Sequence, residues 1–241
     1  MKNNVILIIL LTILNIGPWN RPVSAQFPKD LGGLLKPAGG ALSEGDAAAG
    51  IREALIRGTN RSVELVSVTD GFLGNPSIKI PFPEQAKEIE SRLRTLGLGS
   101  MVDDVVTSMN RAAEDASKSA GEIFITAINA MTIRDAVTIV RGNEDAATRY
   151  LERTTSAVLK EKFTPVIKAS LDKVDATRLW EEVIRRYNQI PLVKKQNPDL
   201  VGYVTDQAIK GLFIMVAREE ALIRKDPVAR TSDILKKVFG K

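Results

Sequence analysis

"SMVDDVVTSMNRAAEDASKSAGEIFITAINAMT", residues 100–132, decides the fold. Its apolar residues fall at Val102, Val105, Val106, Met109, Ala112, Ala113, Ala116, Ala120, Ile123, Phe124, Ala127, Ile128 and Met131. Steps of three and four are the period of a helix with one apolar stripe, and they predict a helix of about eight turns against a core. Ser100 with Asp103 three residues on has the form of a capping box that starts it. The crowding of Ala in the first half predicts that another helix approaches closely there.

The polar flank of this stretch has two readings. Arg111 and Glu114 are three apart and Arg111 and Asp115 four apart, the spacing of an exposed intrahelical pair contributing about 0.2–0.5 kcal/mol. The sharper reading is a buried charge network that lines a pocket or reaches across to "REEALIR". Charged residues are rarely buried unless paired, so the exposed flank is the expectation.

Outward from this helix, nearly every segment carries helix start and stop signals. Ser43 and Asp46 resemble a capping box before "AAAGIREALIR", Gly58 is expected to end that helix, and a second is expected from about Asn60 to Val68. Thr69 to Gln85, "TDGFLGNPSIKIPFPEQ", is the one non-helical stretch. Asp70-Gly71 and Gly74-Asn75-Pro76 are turn signals, Ser77 to Phe82 alternates as a short edge or isolated strand would, and Pro83 opens a helix that Gly97 stops.

Further on, Thr132 with Asp135 caps "IRDAVTIVR", Gly142 ends it, and Asn143 is expected to cap a helix over about Glu144 to Lys162. Thr164-Pro165 is expected to restart helix, and Asp175 to cap one through Trp180 to Tyr187. Asn197-Pro198-Asp199 and Asp226-Pro227 repeat the device around "VTDQAIKGLFIMVAREEALIRK", whose "GLFIMVA" centre is apolar nearly all round and predicts the buried middle of the domain. Thr231 caps a short last helix, "SDILKKVF".

The chain opens as an exported protein does. Met1-Lys2 precedes an apolar stretch of ten residues, Val5 to Leu14, and Val23-Ser24-Ala25 supplies small residues before Gln26. That is the layout of a cleaved signal peptide over residues 1–25, and ten residues fall well short of the roughly 20 that span a membrane. No Cys follows to take a lipid, so a soluble, periplasmic mature chain with no membrane span is expected. Residues 26–42, with four Gly and two Pro, read as a flexible leader, and residues 43–241 as one helical domain.

Composition removes whole classes of chemistry. With no His and no Cys, the chain can form neither a Ser-His-Asp triad nor a Cys-His pair, and no disulfide holds the fold. A zinc site of the usual His-rich kind is excluded too, and Asp46, Asp70 and Asn75 have turn-forming rather than metal-loop spacing, so no metal and no cofactor is expected. "GFLG" and "GLGS" lack the Lys and preceding strand of a phosphate loop.

The net charge of +5 falls to +3 without Lys2 and Arg21, and it is uneven: net −3 over residues 26–150 and +6 over residues 151–241. Arg185, Arg186, Lys194 and Lys195 form the densest basic spot, a candidate contact with an anionic surface beside the plainer reading of a solvated face. Scattered aromatics and modest charge speak against nucleic acid. "AREEALIRK" offers Arg218, Glu219, Glu220 and Arg224, with Glu220 and Arg224 spaced for an ion pair on an apolar helix. Glu219 and Glu220 point about 100° apart around a helix, which is poor geometry for an acid and base on facing walls.

"TDGFLGNPSIKIPFP", "MNRAAEDA", "AMTIRDAVTIVRGNEDAATRYLERTT", "FTPVI" and "YVTDQAIKGLFIMVAREEALIRKDPVARTSDILKKVFG" together resemble the exported bacterial family known as domain of unknown function 4197. The resemblance covers about Leu42 to Gly240 and implies a periplasmic single-domain protein with no assigned activity and no catalytic residues to carry over.

The expected fold is thus all-α, a single domain of about eight to ten helices with one short extended segment near residues 77–82. The expected function is a non-enzymatic envelope module that binds an apolar small molecule or another envelope protein. The alternatives are a carboxylate-dependent hydrolase using Glu114, Glu219 and Glu220, and a structural protein at an anionic membrane surface through the basic spot.

Overall fold

The computed structural model describes residues 44–189, 195, 197 and 199–225. Ser43, the leader, the signal segment, Lys194, the Asp226-Pro227 signal and the Thr231 helix lie outside the described residues. Among the described residues there are eight α-helices in one all-α domain, with no strand. They are α1 (Glu44–Val66), α2 (Lys87–Thr95), α3 (Gly99–Ser117), α4 (Ala120–Asn129), α5 (Ile133–Arg141), α6 (Ala146–Asp172), α7 (Ala176–Asn188) and α8 (Leu200–Lys225).

Helix α8 is the centre, packing on α1, α3, α6 and α7. Val204, Ala208 and Leu212 are fully buried along it, and Phe213 meets Phe124 of α4 edge to face at 5.9 Å. By length and composition α8 would also suffice to cross a membrane, but 56% of its apolar window is buried within the protein, the pattern of a core helix. The Ala-rich half of α3 packs mainly on α6, with Ala112, Ala113 and Ala116 wholly buried, as small residues at a close helix approach should be.

Five expected helix signals are corrected, the first being the Ser100–Asp103 box: α3 begins at Gly99 after Leu98 with no side-chain cap bond, and Asp103 pairs with Arg94 instead. Gly58 does not end a helix: α1 runs through it to Val66 and absorbs the separate helix expected at Asn60. Gly58 faces α8, where the Cβ of Glu219 and the Cδ1 of Ile223 lie close, so the packing partner holds the helix through its weakest residue.

The eight-turn helix divides at Lys118-Ser119 into α3 and α4. Ser119 there donates both its N–H and its hydroxyl to the Ala116 carbonyl, tightening the turn. The buried stripe nevertheless continues through Ala116, Ala120, Phe124 and Ile128.

Thr164-Pro165 does not restart a helix, because α6 passes straight through it. Leu159, Phe163, Ile167 and Leu171, each fully buried, carry the stripe past Pro165, whose own side faces water. The carbonyl it leaves without an N–H partner, that of Glu161, belongs to an exposed residue and can be hydrated.

Asn143 does not cap α6 with its side chain. Asp145 is the N-cap residue and makes no side-chain cap bond either.

Other signals are found where expected. Thr132 and Asp135 form the full capping box of α5. Gly97, at φ +79°, ends α2 in a turn in which Leu98 N–H bonds the Leu93 carbonyl, and Asp199 accepts Gly202 N–H at the start of α8. Pro83 precedes a short 3-10 turn, Glu84–Ala86, that leads into α2.

Candidate functional site

The non-helical chain between α1 and α2 is held by two buried polar side chains of α3, Asn110 and Glu114. It is built of turns at 69–74 and 76–78 and is irregular over 79–81. No strand forms over residues 77–82; its place is taken by a side chain. Asn110, fully buried on α3, accepts Ile80 N–H at 2.8 Å and donates to the Ile80 carbonyl at 2.8 Å, so its amide pairs with Ile80 as a neighbouring strand would. Its second N–H goes to the Val106 carbonyl at 2.8 Å, which satisfies the whole amide.

One turn further along α3, Glu114 is 4% exposed. Its Oε1 accepts the backbone N–H groups of Phe72 at 3.1 Å and Leu73 at 3.2 Å, and its Oε2 accepts Arg111 Nη1 at 2.7 Å. Arg111 also donates to Asp70 Oδ1 at 2.8 Å, and Asp70 sits at φ 66°, a left-handed conformation that Asp tolerates in turns. Glu114 first and Asp70 second hold the guanidinium above its ordinary value. The expectation of an exposed flank is therefore corrected: Arg111 and Glu114 do pair, but the carboxylate is buried and its other bonds run to the loop, not to "REEALIR".

Helix α8 secures the other side of the loop. Phe72, fully buried, lies so close to Gly211 that a Cβ there would stand 2.6 Å from the ring. Asn75 Oδ1 accepts Ser77 N–H, its Nδ2 meets the Met215 sulfur, Tyr203 O–H donates to the Pro81 carbonyl at 3.1 Å, and Arg218 donates to Ser77 Oγ. Gly71 is fixed by sterics too, since a Cβ would stand 2.5 Å from the Val66 carbonyl oxygen.

A second buried carboxylate does the same work elsewhere. Glu220, 8% exposed, accepts Ala147 N–H at 3.0 Å on Oε1, and Thr148 N–H at 2.8 Å and hydroxyl at 2.7 Å on Oε2. It thereby caps α6 from α8, supplying what Asn143 and Asp145 do not. Arg224 donates to Glu220 at 2.9 Å and to the Ile139 carbonyl at 3.0 Å, tying the end of α5 to the same point.

The remaining candidates are dispersed. Glu219 is half-buried beside Gly58 and has no hydrogen bond among the described residues; burial pushes its carboxyl up, with the Arg61 charge opposing. Arg185 and Lys195 are exposed around a shallow surface hollow that also includes Glu181, while the side chain of Arg186 and all of Lys194 lie outside the described residues. No group of three or more acidic residues suited to a metal ion occurs among the described residues.

Between α1, α6 and α8 the core leaves a crevice of about 20 Å3, lined by Ile51, Leu55, Gly58, Val216 and Ile223 with Glu220 and Arg224 on one wall. That is room for about one water. The sequence marks Asn110 only by placing an amide on the apolar side of a helix, one turn before Glu114.

Searches of curated proteins and of solved structures found no match. The family described as "Protein of unknown function (DUF4197)" matches residues 41–240, and the chain belongs to that family.

Proposed function

We propose that the protein is an exported binding module of the bacterial envelope that recognises another protein through the face formed by residues 69–83, without doing chemistry. The observation that carries this reading is the anchoring of that loop at Ile80 by Asn110 and at Phe72 and Leu73 by Glu114. An irregular connection of this length is uncommon in a compact domain unless it serves a function, and binding residues favour loops held on a rigid scaffold. Burying a carboxylate and an amide to hold the loop in one shape lowers the ordering cost of binding. Pro76, Ser77, Lys79 and Pro81 form its exposed surface.

A small apolar ligand enclosed in the core is less well supported, since such sites enclose about 300–1,000 Å3 and the core crevice about 20 Å3. The hydrolase reading is weakened because Glu114 and Glu220 have their oxygens committed to backbone N–H groups and Arg. Export rests on the charged start, the Val5 to Leu14 stretch and the small residues at 23–25.

The test is a photoreactive side chain at position 79 in living cells. One discrete protein adduct in the envelope fraction, lost when Asn110→Ala loosens the loop, is the expected result. Identical adducts from position 79 and from exposed position 157 on α6, or retention of the protein in the cytoplasm, would contradict the proposal.

A further inference from the structure

A second surface lies away from the loop, where the start of α3 meets the turn between α6 and α7. Met101 and Val105 fall on one face of α3, just past its N-cap residue Leu98, and line an open groove of about 580 Å3 with Val174 and Ala176. Leu98, Met101 and Val174 are 41%, 42% and 54% exposed, a concentration of large apolar side chains that nothing among the described residues covers. Asp104 also lines the groove, and its carboxylate makes no ion pair among the described residues.

The chain itself contains a segment of complementary chemistry. Residues 231–239, "TSDILKKVF", place Ile234, Leu235, Val238 and Phe239 at helical spacing, with Lys236 and Lys237 beside them. Their apolar stripe matches the groove and their charge matches Asp104. The segment lies within the family match, which extends to residue 240, and so belongs to the domain.

Its own groove is out of reach. Lys225 is held at the start of α6 by its ion pair with Glu144 at 2.9 Å, whereas Val174 lies just past the other end of that helix. The 27 residues of α6 span about 40 Å, whereas the six steps from Lys225 to Thr231 cover about 20 Å and a helix from Thr231 to Val238 adds only about 10 Å, so the segment docked as a helix stops short of the groove. We infer that residues 231–239 dock in the Met101–Val174 groove of a second copy, so that two chains pair by exchanging tails. Such a contact is the same on both partners and closes on itself.

The chain has no cysteine, so single-cysteine variants of the intact protein report the contact cleanly. When Met101→Cys and Val238→Cys chains are mixed under mild oxidation, a disulfide-linked pair of one with the other is expected, with little product when Ala157→Cys replaces Met101→Cys. Light scattering on the cysteine-free chain should give the mass of two chains, and Met101→Asp, at an exposed position, should give the mass of one that still melts cooperatively, at a temperature lowered by no more than the lost pairing and independent of concentration. A mass of one chain at all concentrations, equal crosslinking to positions 101 and 157, or closure of a Met101→Cys/Val238→Cys double variant within one chain would overturn the inference. Each readout is independent of the 69–83 face.

Discussion

Glu220 reaches 72 residues back along the chain to Thr148 and accepts both its backbone N–H, at 2.8 Å, and its hydroxyl, at 2.7 Å. The carboxylate is a helix cap supplied by a different helix, and Arg224 keeps it paired. Removing it takes the cap from α6, leaving the Ala147 and Thr148 N–H groups without acceptors, and takes one bond from the half-buried Arg224. Glu220→Ala should therefore cost about 3 kcal/mol, roughly 10 °C in melting temperature for a domain of this size, measured by thermal denaturation. A change within about 0.5 kcal/mol, the range of an exposed pair, would show that the bonds are not formed.

Asn110 and Ile80 form a pairing that an aliphatic side chain cannot replace. Asn110→Ala leaves the buried N–H and carbonyl of Ile80 without partners, and should cost about 2–3 kcal/mol by chemical denaturation. Asn110→Asp keeps the acceptor for Ile80 N–H but loses both donated bonds, so it should not rescue the loss.

The two glycines that face α8 and its surroundings differ in sign. At Gly58 a Cβ would sit 3.5 Å from Glu219 Cβ, an ordinary contact, so Gly58→Ala should raise stability by about 0.5–1 kcal/mol through helix propensity alone. At Gly211 the Cβ would enter the Phe72 ring, and Gly211→Ala should lower stability by about 1–3 kcal/mol despite the same propensity gain. Melting temperatures of the two variants moving in opposite directions is the expected result.

Stability should respond to pH in opposite ways at Glu219 and Asp135. Burial raises the Glu219 carboxyl, so the folded state holds that proton more tightly than the unfolded chain. The cost of ionising it builds as pH rises through the ordinary carboxylate range to the raised value, and Glu219→Gln should be the more stable protein at neutral pH, with the difference vanishing in acid. The Thr132 hydroxyl first and its N–H second hold Asp135 below its ordinary value. Its contribution is complete above the ordinary range and is lost as pH falls through the lowered value, so Asp135→Asn should be weaker at neutral pH only. Urea midpoints between pH 3 and 7 read both.

Much of this architecture is written locally. The Thr132–Asp135 box, the Gly97 stop and the all-round apolar character of α8 each depend on residues within a few positions of one another, and each is found in the structure. Gly58 and Thr164-Pro165 misled because a local signal for stopping yields where a buried stripe continues past it. The roles of Glu114 and Glu220 were hidden for a different reason. Their spacing to Arg111 and Arg224 is that of exposed pairs, and what distinguishes them is backbone N–H groups 41 to 73 residues away. No periodicity carries that information.

The central claim, that the buried carboxylates hold backbone rather than perform chemistry, is read most directly by amide hydrogen exchange at Phe72, Leu73, Ala147 and Thr148. All four amides should be protected in the wild-type protein, with Glu114→Ala releasing the first two and Glu220→Ala the last two. Wild-type amides at these positions exchanging as fast as those of an open loop would contradict the account.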